Sequence, residues 1–392
     1  MTEAYIVAAL RTAGGRRNGR LSGWHPVDLA AQILNGLIER VGADPALVED
    51  VFMGCVSQVG EQSSNVARNA VLASKLPESV PGTSIDRQCG SSQQAVHFAA
   101  QAVMSGAMDC VIAAGVESMT RVPMFTSSAL PEKNGLGTYR SAAIAARYGG
   151  VPFSQFVGAE MMAAKYDLSK DALDEYALLS HQRACAASQA GKFDAEILAI
   201  EARMNDGTIP GGLHLHDEGI RADATLASIQ NVKLLKEGGR ITAANASQLC
   251  DGASGVMIVN ERGLKALGLA PLARIHHMTV MGSNPVIMLE TPIPATERAL
   301  RKVGMNIDDI DLFEVNEAFA SIPLAWLKAT GADPKKLNVH GGAIALGHPL
   351  GASGTKLMAT LVHTLQQRGK RYGLQTMCEG GGMANVTIIE RL

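Results

Sequence analysis

The chain has 392 residues, which at about 150 per domain means two to three domains or one large composite fold. Hydrophobic residues make up 47% and charged residues 18%, enough for a sizeable core and too apolar for a disordered chain. Lys and Arg number 35 against 37 Asp and Glu, a net charge of −2, so no basic field recruits nucleic acid or an anionic membrane.

In chain order, Met1-Thr-Glu-Ala-Tyr-Ile-Val-Ala-Ala-Leu lacks a basic region ahead of its apolar stretch and reads as a first strand, not a signal peptide. No apolar run reaches the roughly 18 residues of a membrane span, and the expected location is the cytoplasm. Residues 27–38 carry a helical pattern (Val27, Leu29, Ile33, Leu34, Leu37, Ile38), followed by Val41-Gly42-Ala43-Asp44 and the strand-like Val51–Val56. Residues 294–315 repeat that order: a helix through Ala299, Leu300 and Val303, then Gly304, then Ile310–Val315. A second pair matches too. Cys89–Met119 and Ala352–Met383 each run from a small-residue helix start through a helix and a Gly to a strand. This predicts two duplicated α/β halves, since the period is far longer than that of a solenoid. The first half spans 1–119 and is completed by about 246–270, and the second spans 271–392. Residues 120–245 lose the repeat and read as an inserted loop domain, the usual form of a functional lid or binding segment.

Several residues have the chemistry for catalysis, and each has a structural alternative. Cys89 follows strand-like Pro81–Asp86 and opens a helix that closes at Ser105-Gly106. A thiol at a helix N-terminus meets unpaired N–H groups and the positive end of the dipole, which favour thiolate, although free cysteines are more often inert packing. Asn316 ends the strand Leu312–Val315, where open α/β sheets place their sites, or it caps a helix. His348, flanked by Gly347 and Pro349, is fixed and poorly solvated, as an acid/base group or a structural hydrogen-bonding histidine would be. Cys378 precedes Glu379-Gly380-Gly381-Gly382, which is either an oxyanion nest of backbone N–H groups or a glycine-rich turn. Six cysteines without C-x-x-C make neither a disulfide scaffold nor a zinc site. Cys55, Cys110, Cys185 and Cys250 read as packing. His214 and His216 lack a third ligand, and His276 and His277 face opposite sides of a strand, so no metal is expected.

Taken together, Cys89-Gly90-Ser91, Asn316-Glu317-Ala318-Phe319, Gly341–Pro349 and Cys378–Gly382 resemble the thiolase family, from Val7–Thr12 to Ile388–Leu392. The resemblance implies a five-layered α-β-α-β-α fold and a homodimer or homotetramer. It implies no permanent cofactor, with coenzyme A as co-substrate alongside acyl-CoA and acetyl-CoA. Cys89 would be the acylated nucleophile and His348 would take its proton. Cys378 would be the second acid/base. The N–H groups of Cys89 and Gly380 would hold one oxyanion, and His348 with an Asn316-bound water would hold the other. Ala243 and Ser247 would line the pantetheine channel, with Arg221 and Ser228 in the coenzyme A stretch. Phe156, Met288 and Ala318 fall where the substrate pocket is expected. A Cys89 pKa near 7 would leave about a threefold gain after the loss of nucleophilicity, whereas one oxyanion donor is worth about 10²–10³ in rate.

Two departures bear on the substrate. Short-chain biosynthetic members carry a histidine where this chain has Ser154–Glu160, and Leu289-Glu290-Thr291 replaces a Gly-rich stretch. Both resemble the degradative branch, including enzymes of bulky or steroid side chains. The alternatives are biosynthetic acetoacetyl-CoA formation and a non-catalytic acyl-CoA or lipid-binding paralogue. A decarboxylating ketoacyl synthase should lack Cys378, and a hydrolytic Cys-His enzyme would have no use for the coenzyme A stretch.

Overall fold

The computed structural model describes residues 2–392. The first half comprises β1 (Tyr5–Arg11), β2 (Gly15–Arg16), α1 (Pro26–Val41), β3 (Asp50–Gly54), α2 (Val66–Leu72), β4 (Gly82–Ile85), α3 (Ser91–Met104) and β5 (Cys110–Ser118). The insertion holds α4 (Thr126–Lys133), α5 (Ala142–Arg147), α6 (Gln155–Lys165), α7 (Lys170–Gln189), β6 (Ile200–Glu201), β7 (Leu213–His214) and α8 (Leu226–Gln230). The chain then returns to the first half as β8 (Cys250–Val259) and α9 (Glu261–Leu267). The second half contains β9 (Ala273–Gly282), α10 (Pro292–Val303), β10 (Leu312–Val315), α11 (Ser321–Thr330), α12 (Ala343–Leu346), α13 (Ser353–Arg368), β11 (Tyr372–Glu379) and β12 (Met383–Glu390).

The halves repeat one another strand by strand. In the first, β3 runs parallel to β5, which pairs antiparallel with β8, which pairs antiparallel with β1. In the second, β10, β11, β12 and β9 stand in the same relation. The two sheets join where β1 meets β9 through Tyr5–Arg274 and Ile6–Ala273, giving one ten-stranded sheet with β4 at one edge and β10 at the other. The repeat extends to the caps. Both α1 and α10 carry proline in the first turn and stop on a left-handed glycine, Gly42 at φ 63° and Gly304 at φ 69°.

Five layers result: α1 and α2, the first half's strands, α3 with α13, the second half's strands, then α10 and α11. The middle layer explains the small-residue composition. Most of α3 and α13 is buried, and Ala95, Ala99, Ala100 and Ala359 keep helices and sheets close. Where the two helices touch, a Cβ on Gly354 would overlap the main chain of Gln93, so only glycine fits.

The insertion is fastened by charge as well as by packing. Arg11, fully buried on β1, binds Glu196 at 2.5 Å and Asp217 at 2.7 Å, and Asp217 also accepts the Gly14 N–H at 2.7 Å. No helix among the described residues is long and apolar enough to cross a membrane.

Gly354→Ala should lower stability by about 1–3 kcal/mol, because neither backbone can retreat in a close-packed layer. A urea titration checks this, and an unchanged midpoint would mean that the helices can part.

Candidate active site

The loop between β4 and α3 is locked by short-range hydrogen bonds before it presents Cys89. Asp86 Oδ1 accepts the Gln88 N–H at 2.7 Å, and Ser91 Oγ accepts from the Arg87 N–H at 2.9 Å while donating to the Gln88 carbonyl at 2.5 Å. Gln88 takes a left-handed φ of 51°, which turns the chain immediately ahead of Cys89. The thiol is 9% exposed, and burial first, then the Glu379 carboxyl, push its pKa up to about 12. This corrects the expectation of a helix-stabilised thiolate. The helix begins two residues later, at Ser91, and desolvation with three nearby carboxyls outweighs the dipole.

Cys378 is the last residue but one of β11, near Cys89. Burial raises its thiol well above the ordinary range, and the neighbouring Cys89 and Glu379 add to the rise. The glycines after it turn the chain sharply, with Gly381 at φ 80° and Gly382 at φ 76°. Glu379 is itself held up to about 8 by burial, opposed by Arg87, and its two oxygens have no hydrogen-bond partner. Near pH 7 it is mostly neutral, and burial is then the principal brake on both thiols.

His348 follows α12. Its main-chain N–H donates to the Gln248 carbonyl at 3.0 Å, and its Nδ1 lies 2.5 Å from Ser353 Oγ. Ser353 donates its own proton to the Pro349 carbonyl at 2.9 Å, so it accepts from Nδ1–H. That tautomer leaves the Nε2 lone pair as an acceptor, and Asn316 Nδ2 donates to it over a long 3.4 Å. Burial, with Lys356 nearby, lowers the imidazole pKa to about 3, so His348 is neutral and ready to accept a proton. Asn316 Oδ1 is buried without a partner.

Two carboxyl groups that the sequence reading did not single out hold these pieces together. On β5, Glu117 Oε2 accepts from the Val56 and Gly351 N–H groups at 2.9 and 2.8 Å, and Oε1 from Ser57 N–H and Gln62 Nε2 at 3.0 and 2.9 Å. It thereby joins the loop after β3 to the loop after His348. Glu317, next to Asn316, accepts from Tyr176 Oη and Ser180 Oγ of α7 at 3.0 and 2.7 Å, and from the Ile344 N–H at 3.2 Å. The one signal for Glu117 was a carboxylate inside an otherwise apolar strand.

Three connected cavities lead to this cluster. The outermost, about 350 Å³, is lined by His181, Arg221, Ser228, Ala243 and Ala244. Arg221 and Ala243 also line the next, about 710 Å³, which runs past Ser247, Ala318 and Phe319 to His348. Met124, Gln155, Phe156 and Leu350 separate it from a third cavity of about 790 Å³ that contains Cys89, Met288 and Gly380. Ser247 is placed by its N–H bond to the Ala318 carbonyl at 2.9 Å, and Phe156 meets Phe319 edge-on at 5.8 Å. Cys378 lies on none of these three walls, whereas Gly380, two residues on, lines the third. Met288 adopts φ 58° and is buried. His214 is buried against the Ala13 carbonyl and His216 is exposed; the described residues contain no group of three or more side chains able to hold a metal.

A duplicated five-layer fold with a buried cysteine pair, a neutral histidine and a long channel defines a cysteine-based acyltransferase. The chain belongs to the thiolase family: the model of the thiolase N-terminal domain matches residues 4–262 and that of the C-terminal domain residues 269–391. Among its relatives, the steroid 3-ketoacyl-CoA thiolase FadA6 of Mycobacterium tuberculosis is 51% identical over 394 residues, covering 100% of this chain and 95% of the relative. The acetyl-CoA acetyltransferase of Bacillus anthracis superposes with a TM-score of 0.90 at 34% identity, over 100% of this chain and 99% of that one. Human mitochondrial 3-ketoacyl-CoA thiolase gives a TM-score of 0.89 at 35% identity with the same coverage. Coenzyme A is the co-substrate of this family's chemistry, with no permanently bound cofactor.

Alkylation of Cys89 by iodoacetamide should rise about tenfold per pH unit from pH 7, with no plateau below pH 10, as followed by peptide mass spectrometry. A plateau near pH 7–8 would show a stabilised thiolate instead. His348 should bind its proton only near pH 3. An unfolded chain takes that proton near pH 6.5, so stability falls as pH drops through this window, which acid-dependent urea titrations would read.

Proposed function

We propose that the protein cleaves 3-oxoacyl-CoA with coenzyme A, releasing acetyl-CoA and a shortened acyl-CoA, and that Cys89 carries the acyl group between the two steps. The observation that carries this reading is the buried thiol of Cys378 beside Cys89, kept protonated by its surroundings. Cleaving a carbon–carbon bond needs an acid for the departing carbon, and a simple hydrolase does not.

Cys89 Sγ attacks the 3-keto carbon as His348 Nε2 takes its proton. The bond between C2 and C3 breaks, and Cys378 gives its proton to the acetyl-CoA carbanion. Coenzyme A then loses its thiol proton to Cys378 and attacks the acyl-cysteine, and His348 returns the first proton to Cys89 Sγ. All protons and both thiols are restored. The N–H groups of Cys89 and Gly380 would stabilise the oxyanion of the acyl-cysteine steps. In the carbon–carbon step that part falls to His348 Nε2 and a water held by Asn316. Each such donor is typically worth about 10²–10³ in rate.

Coenzyme A would enter along Arg221, Ser228, Ala243 and Ser247, and the acyl chain would occupy the cavity of about 790 Å³ beyond Phe156 and Met288. That volume is far more than an acetyl group fills, which supports thiolysis of longer or bulkier chains, as the names of the steroid and mitochondrial relatives do. The likeness to an acetyltransferase supports acetoacetyl-CoA formation as the second reading. We further infer a homodimer or homotetramer, for which the open edge of β4 is available, and a reducing cytoplasm, which would keep the two working thiols from oxidising.

Cys89→Ala should abolish the acyl-enzyme seen by mass spectrometry after mixing with acetyl-CoA. Cys378→Ala should still acylate but lose about 10²–10⁴-fold in thiolysis, and near-normal turnover would refute the two-thiol assignment. Thiolysis rates measured side by side should favour a medium-chain 3-oxoacyl-CoA over acetoacetyl-CoA. The reverse order would make this the short-chain biosynthetic enzyme.

A further inference from the structure

A separate cavity of about 10 Å³, sharing no lining residue with the substrate channel, is bounded by Glu314, Asn316, Gly347, Ser353 and Thr360. That is room for about one water molecule. Both residues that touch the imidazole nitrogens, Ser353 at Nδ1 and Asn316 at Nε2, form part of its wall. Two buried oxygens there have no hydrogen-bond partner, Glu314 Oε2 and Asn316 Oδ1. Glu314 is 2% exposed on β10, and the mechanism above leaves it without a role. An unpartnered buried oxygen costs about 1–3 kcal/mol, and a water needs two to four polar partners, a set this wall supplies.

We propose that this cavity holds one structural water joining the Glu314 carboxyl to the Asn316 amide, and that Glu314 thereby positions Asn316 and, through it, the His348 imidazole. The inference rests on the role given to His348 above. Burial, reinforced by Glu317 and Glu196 and opposed by Arg183, raises the Glu314 pKa well above the carboxylate range, so the group is a neutral acid that donates its proton. The other charge on the wall, the Lys356 ammonium, donates to the Leu346 and Gly347 carbonyls instead. The water accepts from Glu314 and donates to Asn316 Oδ1 and to the remaining lone pair of Ser353 Oγ. Asn316 must then point its Nδ2 at His348. Were the amide turned over, Oδ1 would face Nε2 and favour the tautomer with its proton there, which cannot accept one from Cys89.

The test uses the full-length enzyme with thiolysis as the assay. Glu314→Leu, of similar size but apolar, should lower kcat at least about tenfold while the KM for coenzyme A stays within about twofold, because geometry at the base is lost and the channel is not. Glu314→Gln, which still offers a donor, should recover kcat to within about threefold of the parent and keep its pH profile between 6 and 9. A folded Glu314→Leu enzyme with parental kcat, or a Glu314→Gln enzyme as slow as Glu314→Leu, would overturn the proposal. If Glu314→Leu does not fold, the Glu314→Gln profile decides: a shifted acid limb would mean that an ionised carboxylate was in use and would overturn it. His348→Asn, run in parallel, separates the two levels, since full activity there would remove the role of His348 itself, whatever Glu314 does.

Discussion

The contact between α3 and α13, closed by Gly354 against the main chain of Gln93, is the constraint on which the catalytic arrangement depends. Helix α3 begins two residues after Cys89 and α13 five after His348, so joining their N-terminal ends draws the loops that carry these two residues toward one another. The strands complete the convergence, because Asn316 and Cys378 follow or close β10 and β11 at their C-terminal ends. A duplicated fold thus supplies each half's strand ends and helix start to the candidate site. Glu117 reinforces this by bonding main-chain groups of both halves.

The electrostatics of the site are those of a dry interior. Burial raises the thiols of Cys89 and Cys378, keeps Glu379 and Glu314 largely protonated, and holds His348 neutral. These shifts all favour uncharged resting states. In the proposed reaction the proton of Cys89 would therefore move when the substrate carbonyl arrives to take up the charge, not before. A site of this kind depends on oriented lone pairs and N–H groups, which gives the Ser353–His348–Asn316 chain its importance.

Much of the architecture was legible in the chain. The matching order of helix, glycine and strand around Gly42 and Gly304 announced two similar halves, since a left-handed helix stop is a local property of glycine. After residue 119 that order lapses, and the chain there forms α4 to α8 with two short strands before β8. Cys89, Cys378, His348 and Asn316 were legible as motifs; the structure sets Cys378 near Cys89 and Asn316 against His348, while Arg221, Ala243 and Ser247 line the cavity that reaches His348. Glu117 and Glu317 were not legible as supports, because their partners lie far away in the chain and are mostly main-chain N–H groups or hydroxyls.

The sequence by itself determined the repeated elements, the caps that end them and the chemical identity of the groups available to react, because each depends on residues within a turn or two. The protonation states were decided only by the tertiary structure. Cys89 at a helix start suggests a thiolate locally, yet burial by the packing of both halves, with the Glu379 carboxyl nearly 300 positions away adding to it, makes it a thiol. The tautomer of His348 likewise depends on where Ser353 sends its own proton, and the partners of Glu314 on a cavity that no single segment encloses. Desolvation and hydrogen-bond direction belong to the assembled interior, whereas helix propensity and capping belong to the chain.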